Sequence, residues 1–511
     1  GMPLAVELAA GWVRTLTCGE IAAELEKSLD FLSASARDLP ARHRSMRAVF
    51  DHSWALLTPP EQRALARLSV FRGGFAREAT EQVAGASLQM LSALSAKSLA
   101  RRSGEGRYDL HELIRQYAAM YLQADPAQEA DARQQHYAFY LNLAEASDLH
   151  LKTSAQLQWL RRLEQEHDNL RAALEWSQSA EGSGEICLRL ASTLGLFWEA
   201  RGYFSEGRER LSGILLTERA QGRTAARAHI LARAAELAYR QSDYPATVSF
   251  ASESLSISRE IGDKQGIASV LIKLGNAATE GGDYATASGY LEEALSIWRE
   301  LKDRHGTARA LISLGWAALR PGDNLLAKRR LEEALAISRE LGDTRSIGFE
   351  LSGLGEVALR QGDYSLATRL LEESLELRRQ VGNKWGVGVS LGTLGWVAMR
   401  EGDWQRAIAR LGESLEVRRE IGDKGGSAWC LERLAEIALA QEKVEKAVRL
   451  FGAAGALRLS IGSVIDPVDQ PEYESKRLSM LEKLGEQRFA AAWDEGEALT
   501  MEEAVAYALE S

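Results

Sequence analysis

Cysteine is almost absent. Cys18, Cys187 and Cys430 are odd in number and far apart in a chain of 511 residues, which argues against a disulfide framework or a zinc site and for reduced thiols in a cytosolic setting. Only 9 prolines interrupt the chain, so little stands in the way of continuous helix. No apolar run is long enough to cross a bilayer, and no signal peptide opens the sequence. The net charge of −10 removes any global electrostatic case for nucleic acid or membrane binding. Catalytic signatures are missing too. There is no Gly-x-Ser-x-Gly elbow, no His-Glu-x-x-His, and no Gly-x-x-x-x-Gly-Lys-Ser/Thr loop to cradle phosphates. The 8 histidines (His43, His52, His111, His136, His150, His167, His229 and His305) fall into no metal-ligand spacing, so neither metal nor enzymatic activity is expected.

What the sequence does have is Ala, Leu, Glu and Arg in a repeating order. Gly282-Asp283-Tyr284 recurs as Gly322-Asp323-Asn324, Gly362-Asp363-Tyr364 and Gly402-Asp403-Trp404, with weaker copies at Ser242-Asp243-Tyr244 and Gly202-Tyr203-Phe204, every 40 residues. A second turn keeps the same register at Gly262-Asp263, Lys302-Asp303, Gly342-Asp343, Gly382-Asn383 and Gly422-Asp423. Glycine suits a left-handed helix end and Asp or Asn the following N-cap, so each period reads as a helical hairpin. Small residues hold register on both helices: Gly195, Ala235, Gly275, Gly315, Gly355, Gly395 and Ala435 on the first, and Ala287, Ala327, Ala367, Ala407 and Ala447 on the second. The pattern resembles the tetratricopeptide repeat in a lengthened form. It predicts an all-α, right-handed solenoid of seven units over 188–462, in which each hairpin buries its apolar face only against its neighbours. The recurrent Glu292-Glu293, Glu332-Glu333 and Glu372-Glu373 pairs read as solvated helix faces.

In that family the first helices line the concave surface. Two rows follow by projection: Glu236, Asn276, Trp316, Glu356, Trp396 and Glu436, and one turn on Arg240, Glu280, Arg320, Arg360, Arg400 and Ala440, with Tyr239, Leu319, Leu359 and Met399 between them. Arginine forks and tryptophan anchors suit a protein, a peptide or a small-molecule inducer. The alternative is that Trp316 and Trp396 pack between repeats while the arginines pair with neighbouring glutamates.

The N-terminal third follows another pattern. Helices are expected at Met46–Leu57, from Thr58-Pro59-Pro60-Glu61 onward, at about Arg77–Val83 and Leu88–Ala96, and at His111–Tyr121, with a β-hairpin formed by Ser98–Arg102 and Arg107–Leu110. Helices plus one hairpin describe a winged helix. Between residues 41 and 115 there are 12 Lys/Arg against 7 Asp/Glu. Arg42, Arg44, Arg47, Arg101 and Arg102 therefore keep DNA binding open as a rival reading.

Gly1-Met2-Pro3-Leu4-Ala5 resembles the GLPLA motif of NB-ARC-type signal-transduction ATPases (the STAND class). The run Leu68-Ser69-Val70-Phe71-Arg72-Gly73-Gly74-Phe75 and the stretch Leu110-His111-Glu112-Leu113 resemble their winged-helix domain. Glu166-His167-Asp168-Asn169-Leu170 and the tail from Phe451-Gly452-Ala453-Ala454 to Glu503-Ala504-Val505 resemble the AfsR-like and LuxR-like regulators of that class. The resemblance implies an ATPase remnant (1–40), a winged helix (41–123), a helical connector (124–187), the repeats (188–462) and a capping tail (463–511). It also implies that His111 would touch the β-phosphate of ADP, and Pro3 the adenine, in a longer parent using ADP/ATP. With no phosphate loop present, this portion is expected to hold no nucleotide and to sense a ligand or protein for a regulator. A constitutive scaffold and a DNA-binding factor are the alternatives.

Overall fold

The alternating turns set the architecture. In the computed structural model Gly362 has φ +82° and Gly382 φ +68°, the left-handed conformation that glycine adopts without a Cβ penalty. Asp363 then accepts from the Leu366 amide at 3.0 Å, and Asn383 accepts from the Gly386 amide at 2.9 Å. One helix is thus ended and the next begun within three residues. The structure describes residues 3–10, 12–13, 15–27, 31–32, 45–104, 106–151, 155–179, 184–217 and 221–510. Two compact units result, 1–146 with 161–182, and 147–160 with 183–511. The span expected as a connector is thereby divided between them.

The second unit contains seven consecutive hairpins: Gly184–Arg201 with Phe204–Leu215, Ala225–Arg240 with Tyr244–Glu260, Lys264–Glu280 with Tyr284–Glu300, Arg304–Leu319 with Asn324–Leu341, Thr344–Arg360 with Tyr364–Val381, Lys384–Arg400 with Trp404–Ile421, and Lys424–Ala440 with Val444–Ile461. In the third to sixth repeats the glycine of the first helix receives the leading leucine of the second. A Cβ on Gly315, Gly355 or Gly395 would sit 2.7 Å from Leu331, Leu371 or Leu411 Cγ respectively. Those leucines are fully buried, each contributing about 2–3 kcal/mol by removal from water. The second repeat meets the same constraint with Ala235 and Ala251, both fully buried. The tail helices Gln470–Leu484, Glu486–Glu497 and Met501–Leu509 pack on the last hairpins. The helices bearing Gly452 and Gly496 cross so closely that a Cβ on Gly452 would meet the Trp493 carbonyl.

The array closes on itself. Ser242 Oγ donates to Asp423 Oδ1 and accepts from the Gly425 amide, both at 3.0 Å, joining the turn of the second repeat to the start of the seventh. Gly202 approaches Ile421 in the same seam. Ser242 holds φ +61° where the third to sixth repeats place glycine. Its hydroxyl supplies the bridge that glycine cannot.

In the first unit the expected helices occur at Met46–Ala55, Pro59–Leu68, Arg77–Ala84, Leu88–Ala96 and Glu112–Gln123. Thr58 and Glu61 form a reciprocal capping box. The wing differs from expectation. Its strands are β2 (Arg101–Ser103) and β3 (Arg107–Asp109), and a further strand, β1 (Phe75–Ala76), pairs with β3, giving the order β1-β3-β2. Ser98 stands at φ +57°, ending the preceding helix and leaving the strand to start later. The Glu166–Asn169 motif is a polar staple. Asn169 accepts from the Arg72 amide and donates to the Gly74 carbonyl, both at 2.7 Å, while Glu166 accepts from Tyr140, Asn169 and Arg107. The turn between Phe71 and Phe75, which contains two left-handed glycines, is fixed by this buried network.

Candidate functional site

Closure of the array leaves a partly open cavity of about 390 Å³ in the second unit, within the range of small-molecule sites. Glu236, Tyr239, Arg240, Asn276, Glu280, Trp316, Arg320 and Glu356, all from the projected set, line it. So do side chains the projection did not reach: Arg309, Arg345, Phe349, Arg378, Trp385, Arg418 and Trp429. Extending the rows toward the start of each first helix would have found most of these, since His305, Arg345 and Trp385 share one 40-residue register, as do Arg309, Phe349 and Trp429. Arg378 and Arg418 belong to the second helices, where the equivalent earlier residues are Ser258, Trp298 and Ser338.

The rest of the projected set lies elsewhere. Trp396 is 4% exposed and packs edge-on to Trp429 at 5.9 Å. Its place is between repeats, because the apolar ring gains more there than in a wet groove. Met399 and Leu359 join the same core, and Leu319 is fully buried. Glu436 pairs with Arg433 at 3.0 Å and Lys476 at 2.6 Å.

The projected arginines hold internal carboxylates. Arg240 donates to Glu199 at 3.0 Å and Glu236 at 2.9 Å. Arg345 also pairs with Glu199, and Lys273 with Glu236. Burial works against ionisation of Glu236, but Lys273 and Arg240 hold its carboxyl well below the usual range. Three further arginines reach the C-terminal segment. Arg320 meets Asp466 at 2.9 Å, Arg360 meets Asp469 at 3.1 Å, and Arg400 meets Glu472 at 3.0 Å. A 40-residue spacing in the repeats is thus matched to a three-residue spacing in the tail. Val464 and Val468 of the same segment approach Gly282 and Gly322, so residues 464–472 form a strap across one rim of the array.

In the first unit, His111 caps the helix Glu112–Gln123, its Nδ1 accepting from the Leu113 amide at 3.3 Å. Burial, and then Arg101, lowers its pKa. It lines a cleft with Arg72, Arg101 and Arg115. The side chain of Pro3 lies outside the described residues, as do Arg42 and Arg44. Of the other basic residues weighed for DNA, Arg101 pairs with Asp109 and Arg47 contacts Met120. No helix among the described residues is long and apolar enough to cross a membrane, and no group of His, Cys, Asp and Glu among them could hold a metal ion.

Comparison with known families matches the tetratricopeptide repeat at residues 224–300, 266–340, 350–420 and 390–458. The second to seventh hairpins are tetratricopeptide repeats. Two relatives, one from Mycobacterium bovis and one from Mycobacterium tuberculosis, bear the name "Putative HTH-type transcriptional regulator". Each is 35% identical over 280 residues, covering 52% of this chain and 31% of the relative. The chain therefore spans less than a third of the length of these relatives in the matched region. A crystal structure of a STAND protein with a tetratricopeptide repeat sensor from Pyrococcus horikoshii aligns with 96% of this chain and 71% of its own, at 16% identity and a TM-score of 0.49. The tetratricopeptide repeats read from the sequence are borne out by this match, and the regulator relatives agree with the resemblance read there.

Proposed function

We propose that this chain is the sensing arm of a bacterial STAND-class regulator and that its effector, a small molecule or a short peptide, binds inside the closed tetratricopeptide array. The observation that carries this reading is the cavity inside the array, walled by Phe349, Trp385, Trp316 and Tyr239 among charged side chains. Large rigid rings beside a few fixed polar groups are what ligand pockets present. Entry of an effector would act through the seam at Ser242 and Asp423, because a ligand shifts a conformational equilibrium only by preferring one of its states.

In a longer parent, His111 would contribute to nucleotide contact. With Nδ1 engaged by its own helix, Nε2 remains to donate, and Arg72 and Arg115 beside it suit a phosphate. The nucleotide would supply the switch, and the chain's part is to hold His111 at the helix start.

The test uses thermal denaturation of the purified chain with peptide and small-molecule fractions of a host extract, comparing wild type with Trp316→Ala/Phe349→Ala. A fraction that raises the wild-type Tm and leaves the variant unmoved supports binding in the cavity. Equal effects on both, or no active fraction, refute it. Trp396 is left intact because its loss would open the core.

A further inference from the structure

One wall of the cavity carries a positive charge that the protein does not neutralise. Each second helix presents a residue at the position of Ser258, Trp298, Ser338, Arg378 and Arg418, and five residues later comes the cap Asp263, Asp303, Asp343, Asn383 or Asp423. Where the sixth repeat has arginine, the cap is aspartate, and Arg418 pairs with Asp423. Where the fifth repeat has arginine, the cap is asparagine. Asn383 caps its helix as well as aspartate would, accepting from the Gly386 amide at 2.9 Å, but it brings no charge.

Arg378 is therefore a guanidinium only 1% exposed with no carboxylate in ion-pair range among the described residues. It donates to the carbonyls of Gly348, at 2.9 Å, and Gly386, while its Nε has no partner. Its charge centre lies 4.7 Å from the Phe349 ring, which in turn is 5.6 Å from Trp385. Burial, and then the nearby Arg240, Arg418 and Arg345, pulls its pKa down to about 9, which leaves it charged at neutral pH. Two of those neighbours, Arg240 and Arg345, share the carboxylate of Glu199, and Arg240 also reaches Glu236, which Lys273 holds as well. Arg309, on the same cavity, makes no ion pair among the described residues. A buried charge without a counter-charge costs several kcal/mol, and natural sequences retain such a cost chiefly at functional sites.

We propose that the cavity takes a small organic anion, a carboxylate or phosphate attached to a flat apolar group, with the anion held by Arg378 and the flat group against Phe349 and Trp385. The anion occupies the role that Asp423 plays one repeat later. This rests on the sensing role proposed above and names the chemical class of the effector. Guanidinium forks bind carboxylate and phosphate bidentately, and the two rings offer the face for a planar group.

The experiment supplies or removes the missing charge. Asn383→Asp keeps the cap and gives Arg378 an internal carboxylate, and Arg309→Gln changes an exposed cavity side chain with no bonds to lose. Wild type and both variants are titrated with matched pairs, benzoate against benzamide and phenyl phosphate against phenol, and with sodium sulfate. Tryptophan fluorescence and Tm are the readouts. The expected result is that the anionic member of at least one pair binds the wild type at least tenfold tighter than its neutral partner. Asn383→Asp should weaken that binding at least tenfold while raising the ligand-free Tm by a few degrees, and Arg309→Gln should weaken it severalfold with Tm unchanged. Equal binding of charged and neutral partners, insensitive to Asn383→Asp, overturns the anion assignment but leaves a cavity effector standing. Indifference to every anion, sulfate at 100 mM included, also overturns it, whatever the host-extract fractions show.

Discussion

The strap across the arginine ladder should contribute measurably to stability, and the structure sets the size. Asp466 and Asp469 are half-buried against Arg320 and Arg360, whose side chains are largely covered, whereas Glu472 and Arg400 are both well exposed. Arg320 keeps Glu280 and Arg360 keeps Glu356 after the strap leaves, so neither guanidinium is orphaned and the full penalty of a broken buried pair does not apply. Each of the two inner pairs is then worth about 1 kcal/mol and the outer pair at most about 0.5 kcal/mol. Asp466→Asn/Asp469→Asn/Glu472→Gln should therefore cost roughly 2–3 kcal/mol in urea denaturation, additive because the pairs share no partner. Limited proteolysis should show new cleavage between residues 463 and 472. Raising salt to 1 M should reproduce only part of the loss, since half-buried pairs are weakly screened. The outer pair of the strap should also survive mild acid. Burial works against the charged form of Glu472, but Lys476 and Arg400 hold its carboxyl at about 2, below its ordinary value. Its contribution is present above about pH 4.5 and is lost only as pH falls toward 2. A triple variant within about 0.5 kcal/mol of wild type, with an unchanged cleavage pattern, would refute the view that charge pairing seats the strap.

Three further outcomes follow from single side chains. Glu350 is fully buried, accepts from Ser338 at 2.6 Å and leaves its second oxygen unpartnered. Burial raises its pKa to about 8, with Asp343 adding to the rise and Ser338 and Arg339 opposing it. Folded protein thus holds a proton that unfolded chain releases above 4.5, stability falls as pH rises from about 4.5 to 8, and the linkage ceiling is about 5 kcal/mol. Glu350→Gln should flatten that slope and stabilise the protein at pH 8 by about 1–3 kcal/mol, seen in urea melts at pH 5 and pH 8; an unchanged slope would refute the assignment. Gly355→Ala places a methyl group 2.7 Å from Leu371 Cγ and should lower stability by about 1–3 kcal/mol through overpacking, whereas no loss would show that the repeat's glycine is not a packing residue. Ser242→Ala removes both bonds of the seam while keeping the left-handed strain, so hydrogen exchange at the Gly425 amide should rise at least tenfold; equal protection would mean that the seam is held by packing alone.

Local chemistry that repeats was legible in the sequence; long-range meetings were not. The turns follow from Gly and Asp at fixed offsets, and the hairpins from the pairing of Gly355 with Leu371 and its copies. The tetratricopeptide solenoid therefore follows from short-range terms that all agree. The wing was found, but its partner strand Phe75–Ala76 is two residues long and carries no period to read. The groove was half legible. Register identified Arg240, Trp316 and Arg320 as cavity residues, yet treated Trp396 the same way, and register alone does not report that Trp429 and the arginines around it cover that ring. The strap was invisible because Asp466, Asp469 and Glu472 follow a three-residue spacing unrelated to 40, and only the curvature of the array brings them to Arg320, Arg360 and Arg400.

A repeat protein offers one kind of signal that a single-copy fold does not, and the cavity shows its use. When seven copies solve the same packing problem, a copy that departs from the others without a structural gain marks something else. Ser242 departs from glycine and gains the bridge to Asp423, so its strain has a structural return. Asn383 departs from aspartate in the one repeat where Arg378 needs the charge, and the fold gains nothing visible from the change. Glu442, at φ +61° in the last repeat, departs as well, but its side chain is exposed, and there a left-handed residue costs only about 1 kcal/mol. Departure weighted by burial therefore separates the three. The exposed one is tolerance, the bridged one is architecture, and the buried one that leaves Arg378 without a counter-charge is where a ligand belongs.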